Sequence, residues 1–208
     1  MKIVVTGVAG FIGSNLADRL LRDGHEVVGI DNLAYGPREQ VPEGVDFVLA
    51  DVRDPALAQH LSGSGAIFHL AAKNCIADCQ DDPVETSDIN VTGTFNVFRA
   101  AAAAGVRRVI YAESSALYEG STIFPTPETD VAPRSFYAVS KLSGMLFADA
   151  FARFHGLSMT ALRYFCVYGP RQDYRRSIPP VMSAFIIKLL DGHRPVIYGT
   201  GEKRRDFV

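Results

Sequence analysis

The chain has 208 residues, 48% hydrophobic and 21% charged, enough apolar material for a full core and typical of a globular protein. A formal net charge of −2, with basic clusters only at Arg107-Arg108, Arg175-Arg176 and Lys203-Arg204-Arg205, excludes a field that holds nucleic acid or an anionic membrane. Cys75, Cys79 and Cys166 are too few and odd in number for a disulfide framework. They read as reduced thiols of a cytoplasmic protein, and no second Cys/His pair follows Cys75 and Cys79 at zinc-ligand spacing, so no metal is expected.

The first 16 residues are apolar but interrupted by glycine, without a basic region or cleavage pattern, and read as mature protein. No run reaches the roughly 18 apolar residues of a membrane span. "KIVVTG" predicts a strand and "FIGSNLADRLLRDG" a helix closed by Gly24. Strands follow at "EVVGID", "DFVLADV" and "AIFHLAA". Next come a helix on "GTFNVFRAAAAAG" closed by Gly105, a strand at "RRVIYAES", a helix from about Ser135, and a strand at "SMTALRYF". Strands this uniformly apolar, alternating with helices, predict an α/β fold: a doubly wound parallel sheet covered on both faces, Rossmann-like. Residues 1–170 form this domain. From 171 the texture turns to turn formers and charge, with an amphipathic helix from about Pro180 to Asp191 and a short strand "PVIYG". Residues 171–208 read as the start of a smaller C-terminal substrate lobe that stops abruptly, as in a truncated chain.

Gly7, Gly10 and Gly13 follow a strand and open a helix, where small residues let the backbone approach a pyrophosphate favoured by the helix N-terminus. Asp31 ends the second strand 18 residues past Gly13, the place of an acid that accepts from an adenosine ribose. No arginine follows in Asp31-Asn32-Leu33, so NAD is preferred over NADP. Asp51 and Val52 end the third strand, where adenine would lie, although Asp51 also suits a helix cap near Pro55.

Tyr137 and Lys141 are four apart on a predicted helix and share a face one turn apart. A tyrosine working as a base near neutrality needs its pKa of about 10 lowered by about 3, worth about 4 kcal/mol, which an adjacent ammonium and a cationic cofactor can supply. Without a dinucleotide fold around it, the pair would be an ordinary helix surface. Ser114 and Ser115 end the fifth strand, on the ligand side of a parallel sheet. His69 ends another strand and His155 lies well down a helix, so the serines read as orienting and proton-relay groups, not nucleophiles.

Together these segments resemble the extended short-chain dehydrogenase/reductase superfamily, most closely its NAD-dependent nucleotide-sugar epimerase/dehydratase branch. The resemblance runs through "TGVAGFIGSNL", "DNL", "ADVRD", "HLAA", "NVTGTFNV", "ESSALY", "FYAVSK", "LRYFCVYGPRQ" and "GTGEKRRDFV". It implies Tyr137 as catalytic acid/base and Lys141 as its electrostatic partner, both also touching the cofactor with Lys141 bonded to the nicotinamide ribose, and Ser114 bonding the reacting sugar oxygen. Gly7, Gly10, Phe11, Ile12 and Gly13 would surround the pyrophosphate, with Asp31 and Asn32 at the ribose and Asp51 and Val52 at adenine. Leu70, Ala71, Ala72 and Asn90 would line the cofactor cleft, with Phe165 by the nicotinamide. On the substrate side it implies Ser114, Ser115, Cys166 and Arg205.

Relatives that dehydrate or decarboxylate keep an acid in the two positions that are Ser115 and Ala116 here. The implied reaction is therefore 4-epimerisation of a nucleotide sugar, a UDP-hexose, by oxidation at C4 to a 4-keto sugar and hydride return. Cys166 replaces the usual asparagine, and "LYEG" replaces "VYG", placing Glu119 near the site. A dehydrogenase of the same superfamily and a non-catalytic NAD-binding module remain open. The resemblance also implies a homodimer through a four-helix bundle formed by helices at about 85–104 and 135–155.

Overall fold

The computed structural model describes residues 1–176, 178–202 and 204–208; Lys203 of the last basic run and Ser177 lie outside the described residues. Six strands, β1 (Lys2–Thr6), β2 (Glu26–Asp31), β3 (Asp46–Leu49), β4 (Ala66–His69), β5 (Arg108–Ser114) and β6 (Ser158–Tyr164), form one parallel sheet in the order β3-β2-β1-β4-β5-β6. Growth of the sheet reverses at β1. Thr6 is level with both Ile30 and His69, and the topological switch point, where sheets of this kind bind ligands, lies at the carboxyl ends of β1 and β4.

Side chains alternating along β1 feed two cores. Ile3 and Val5 join Val8, Ala17, Leu20 and Val27, while Val4 joins Ile30, Ile67, Phe98, Val109 and Phe151 on the opposite face. The helices are α1 (Phe11–Arg22), α2 (Ala58–Leu61), α3 (Ile76–Asp81), α4 (Pro83–Ser87), α5 (Thr94–Ala103), α6 (Phe136–His155) and α7 (Val181–Leu190). Gly24 and Gly105 stand just past α1 and α5 with φ of +79° and +68°, the left-handed stop that the sequence suggests.

Three boundaries differ from the sequence reading. β3 ends at Leu49, because the Asp51 carboxylate accepts the Arg53 N–H and turns the chain, leaving Asp51 and Val52 beyond the strand. The long helix expected over about 85–104 is α4 and α5 joined by a π-helical turn, Asp88–Gly93. Residues 195–199 form no strand. An extended run needs a partner, and the β-pairing of the described residues past Tyr164 is a single bridge between Cys166 and Phe207.

The chain divides into two compact units, Met1–Tyr164 and Phe165–Val208. Among the described residues no helix is long and apolar enough to cross a membrane, and no group of three or more His, Cys, Asp or Glu could hold a metal ion.

Candidate active site

The glycine turn after β1 is shaped by close approach. Gly7 has φ +75°, and a Cβ there would lie 2.7 Å from the Ala71 backbone nitrogen. A Cβ on Gly13 would lie 2.1 Å from the Gly7 carbonyl oxygen. The first turn of α1 is thereby packed onto the end of β1, and the segment after β4 onto Gly7. Gly10 caps α1 without a side-chain hydrogen bond, and no acid stands in the first turn. The N–H groups there, from Phe11 onward, are thus positioned for an anion.

Asp31, at the end of β2, accepts from Ala9 N–H (3.0 Å) and Leu33 N–H (2.8 Å). Burial raises its pKa while those bonds oppose the rise. Each oxygen keeps a lone pair for a ribose hydroxyl. Asn32 donates to Asp51 (2.8 Å), and the Arg53 guanidinium, chelating Asp51, holds that carboxyl well below its usual range. Arg53 also bridges to Asp88, so it is engaged between two carboxylates. Asp51 accepts no helix cap: α2 begins at Ala58 with no side-chain cap. Val52 is buried in the core, and its carbonyl accepts from Asn96 (2.7 Å).

Leu70 and Ala71 follow β4 and donate to the Thr6 hydroxyl (3.2 and 3.3 Å), with Ala72 next in the chain. Asn90, turned inward by the π-helical turn, is buried. Its amide bonds Lys73 at both N–H and C=O and donates to Ser140 (3.0 Å), whose hydroxyl donates to the Tyr137 carbonyl (2.8 Å). Asn90 therefore braces the start of α6 from inside the wall.

Helix α6 carries Tyr137, half-buried, and Lys141, 4% exposed. The Lys141 ammonium donates to the Ala112 carbonyl on β5 (3.0 Å) and lies over the Tyr111 and Tyr137 rings, 5.2 and 5.9 Å from their centroids. Burial lowers its pKa to about 8. Two residues past Ala112, Ser114 ends β5, and its hydroxyl accepts from Ala116 N–H (3.2 Å). Ser115 opens the 3-10 turn Ser115–Tyr118. Beneath α6, His69 lies between the hydroxyls of Thr6 (2.8 Å) and Thr94 (3.0 Å), and burial pushes its pKa down to about 3. A neutral ring therefore sits beside the lysine.

The unit Met1–Tyr164 thus carries the glycine turn, Asp31, Ser114, Tyr137 and Lys141. Phe165, Cys166 and Arg205 belong to the second unit. There Cys166 N–H donates to the Asp206 carbonyl (3.0 Å) and Val208 N–H to Cys166 (3.2 Å), so Cys166 and the 205–208 segment are neighbours.

Several residues near the site are given no role by the sequence. Glu113 and Arg163 face each other across β5 and β6 and form an ion pair. Arg163 also donates to the Tyr118 hydroxyl (2.7 Å) and the Glu128 carbonyl. The alternation Tyr111-Glu113 points inward, the one available signal. Lys73 pairs with Glu85 (2.6 Å), and Gln80 accepts from Phe136 N–H (2.9 Å).

A doubly wound sheet with a glycine-rich first turn, an acid at the end of the second strand and a Tyr/Lys pair beside a serine define a Rossmann-type dinucleotide enzyme. Residues 3–208 match the family model described as the NAD dependent epimerase/dehydratase family. The UDP-glucose 4-epimerase of Mycolicibacterium smegmatis is 38% identical over 217 residues, covering 100% of this chain and 69% of its own. A UDP-glucose 4-epimerase of Thermotoga maritima, solved with UDP-glucose, superimposes with a TM-score of 0.95 at 35% identity, over 100% of this chain and 69% of that one. A dTDP-glucose 4,6-dehydratase of Streptomyces venezuelae, solved with NAD, gives 0.89 at 33%, over 100% and 68%. The chain belongs to the NAD-dependent epimerase/dehydratase family. Its cofactor is NAD, and the uncapped N-terminus of α1 and the two open acceptor positions of Asp31 fit it.

Proposed function

We propose that the protein is a nucleotide-sugar 4-epimerase acting on a UDP-hexose. The observation that carries this reading is the state of the acids beside Ser114. An elimination needs a second acid/base at the sugar. Ser115 and Ala116 supply none, Glu113 is buried and paired with Arg163, and both oxygens of Glu119 are engaged by backbone and hydroxyl groups of residues 134–135. What remains is one proton-transfer device. Ser114 holds the C4 hydroxyl, Tyr137 takes its proton, and Lys141 stabilises the phenolate. NAD, held by the glycine turn, Phe11, Ile12 and Asp31, supplies the acceptor that takes the C4 hydride and returns it. The 4-keto sugar turns over between the two events, so that the hydride returns to the opposite face of C4 while Tyr137 gives its proton back to the C4 oxygen. Phe165, Cys166 and Arg205 are read as the nicotinamide and sugar-nucleotide contacts of the second unit.

Conversion of UDP-galactose to UDP-glucose without added NADH is the expected result. Steady release of NADH would assign a dehydrogenase, a product lighter by one water a dehydratase, and NAD binding without turnover of any sugar nucleotide a binding module. The apolar side chains left exposed on α5 and α6, among them Phe95, Val139, Leu146 and Phe154, support a homodimer through a four-helix bundle. Light scattering on a Leu146→Glu variant, expected to be monomeric, tests it.

A further inference from the structure

We infer that Glu119 is a positioning residue: its carboxylate straps the start of α6 to the serine loop and fixes Tyr137 relative to Ser114. The inference rests on the roles given above to Ser114 and Tyr137. From Ser114 the chain makes one 3-10 turn, Ser115–Tyr118, and Glu119 is the residue that caps it. One carboxylate oxygen accepts from Arg134 N–H (3.0 Å) and Ser135 N–H (2.8 Å), and the other from the Ser135 hydroxyl (2.8 Å). Ser135 is in turn the N-cap of α6, its hydroxyl accepting from Ala138 N–H (3.1 Å). An unbroken path of short bonds therefore runs from the serine loop to the residue after Tyr137.

The intervening residues 121–131 make an excursion that is pinched shut at its base. Gly120 N–H donates to the Ala132 carbonyl (2.9 Å) and Ala132 N–H to the Leu117 carbonyl (2.7 Å). Glu119 sits at that base. Its charge falls at a helix N-terminus, the end that favours an anion. On the other side Gln80, from α3, accepts from Phe136 N–H. The first turn of the helix bearing Tyr137 is thus held by side chains of two other segments, and a glycine at 119 could not make the strap. A misplacement of about 1 Å at a reacting group can cost about 100-fold in rate. A fixed Ser114-to-Tyr137 geometry therefore has direct value for a proton transfer.

The test compares E119A and E119Q with the wild-type protein loaded with NAD, by amide hydrogen exchange over residues 134–141 and by kinetics on UDP-galactose. A glutamine oxygen can still accept both N–H groups. The expected result for E119A is exchange at least about tenfold faster over 134–141, and kcat lower by about 10–100-fold with KM and NAD affinity within about twofold. E119Q is expected near wild type in both. If E119A does not fold, E119D, one methylene short of reach, takes its place with the same expectations. Unchanged exchange in E119A overturns the strap, and so does E119Q as impaired as E119A, which would assign the effect to charge alone. If the wild-type chain does not turn over UDP-galactose while E119A still loosens the start of α6, the assigned reaction falls and the strap stands.

Discussion

Replacing Lys141 with methionine should abolish turnover and make the protein more stable. The ammonium is buried, and its pKa falls from 10.5 to about 8. At about 1.4 kcal/mol per pH unit, that fall means that holding the side chain charged at neutral pH costs the fold about 3 kcal/mol. The sign follows from the order of the two values. Between about 8 and 10.5 the unfolded chain binds the proton and the folded chain does not, so stability rises with pH through that window, and below it the penalty is constant. Methionine loses the bond to the Ala112 carbonyl and the contacts with the Tyr111 and Tyr137 rings, together worth about 1–2 kcal/mol. A net gain of about 1–2 kcal/mol at pH 7 is left. Urea denaturation of wild type and K141M, followed by circular dichroism in steps from pH 6 to 10.5, measures it. K141M should start higher, the difference should close within the window from about 8 to 10.5, and wild type should be the more stable by the end of it. A K141M protein less stable at pH 7, with a difference that does not change with pH, would refute the reasoning.

Four further outcomes are expected. Tyr137→Phe should bind NAD with unchanged affinity by calorimetry while turnover falls by about 10²–10⁴-fold, the range for removing a general acid/base. Asp31→Asn should weaken NAD binding about 10–100-fold, as expected for charge-assisted bonds of about 1.5–3 kcal/mol. His69 is held neutral by burial with a pKa of about 3, so its contribution to stability is complete above about 6.5 and is lost as pH falls from there to about 3. An H69Q variant should show a shallower acid limb in urea titrations, whatever its stability at pH 7. Gly144→Ala would place a Cβ 2.3 Å from the Tyr111 hydroxyl oxygen and should cost about 1–3 kcal/mol, read as a lower urea midpoint.

Much of the frame is legible because it is local. The apolar strands, the stops at Gly24 and Gly105, the acid ending β2 and the Tyr137/Lys141 pair each declare themselves within a few residues. What stayed hidden depends on register and distance. Glu113 meets Arg163 only because β5 and β6 pair with those two residues level, 50 positions apart. Glu119 reads only as a charge near the site until Ser135 is brought beside it. Asn90, expected to line the cleft, is turned into the wall by a π-helical turn that helix periodicity does not reveal. The run "PVIYG" has the composition of a strand, yet residues 195–199 form none, so composition alone misleads there.

The same π-helical turn makes this stretch sensitive to residue count more than to residue type. It carries one residue more per turn than an α-helix, and that surplus lets Asn90 reach Lys73 and Ser140 while Thr94 still reaches His69. Deleting a single residue between 88 and 93 would rewind the segment as plain α-helix and swing everything on one side of the deletion through about 100°. Either Asn90 would leave Ser140 or Thr94 would leave His69. Homologous chains can therefore be expected to vary freely in the outward-facing letters of this segment and hardly at all in its length.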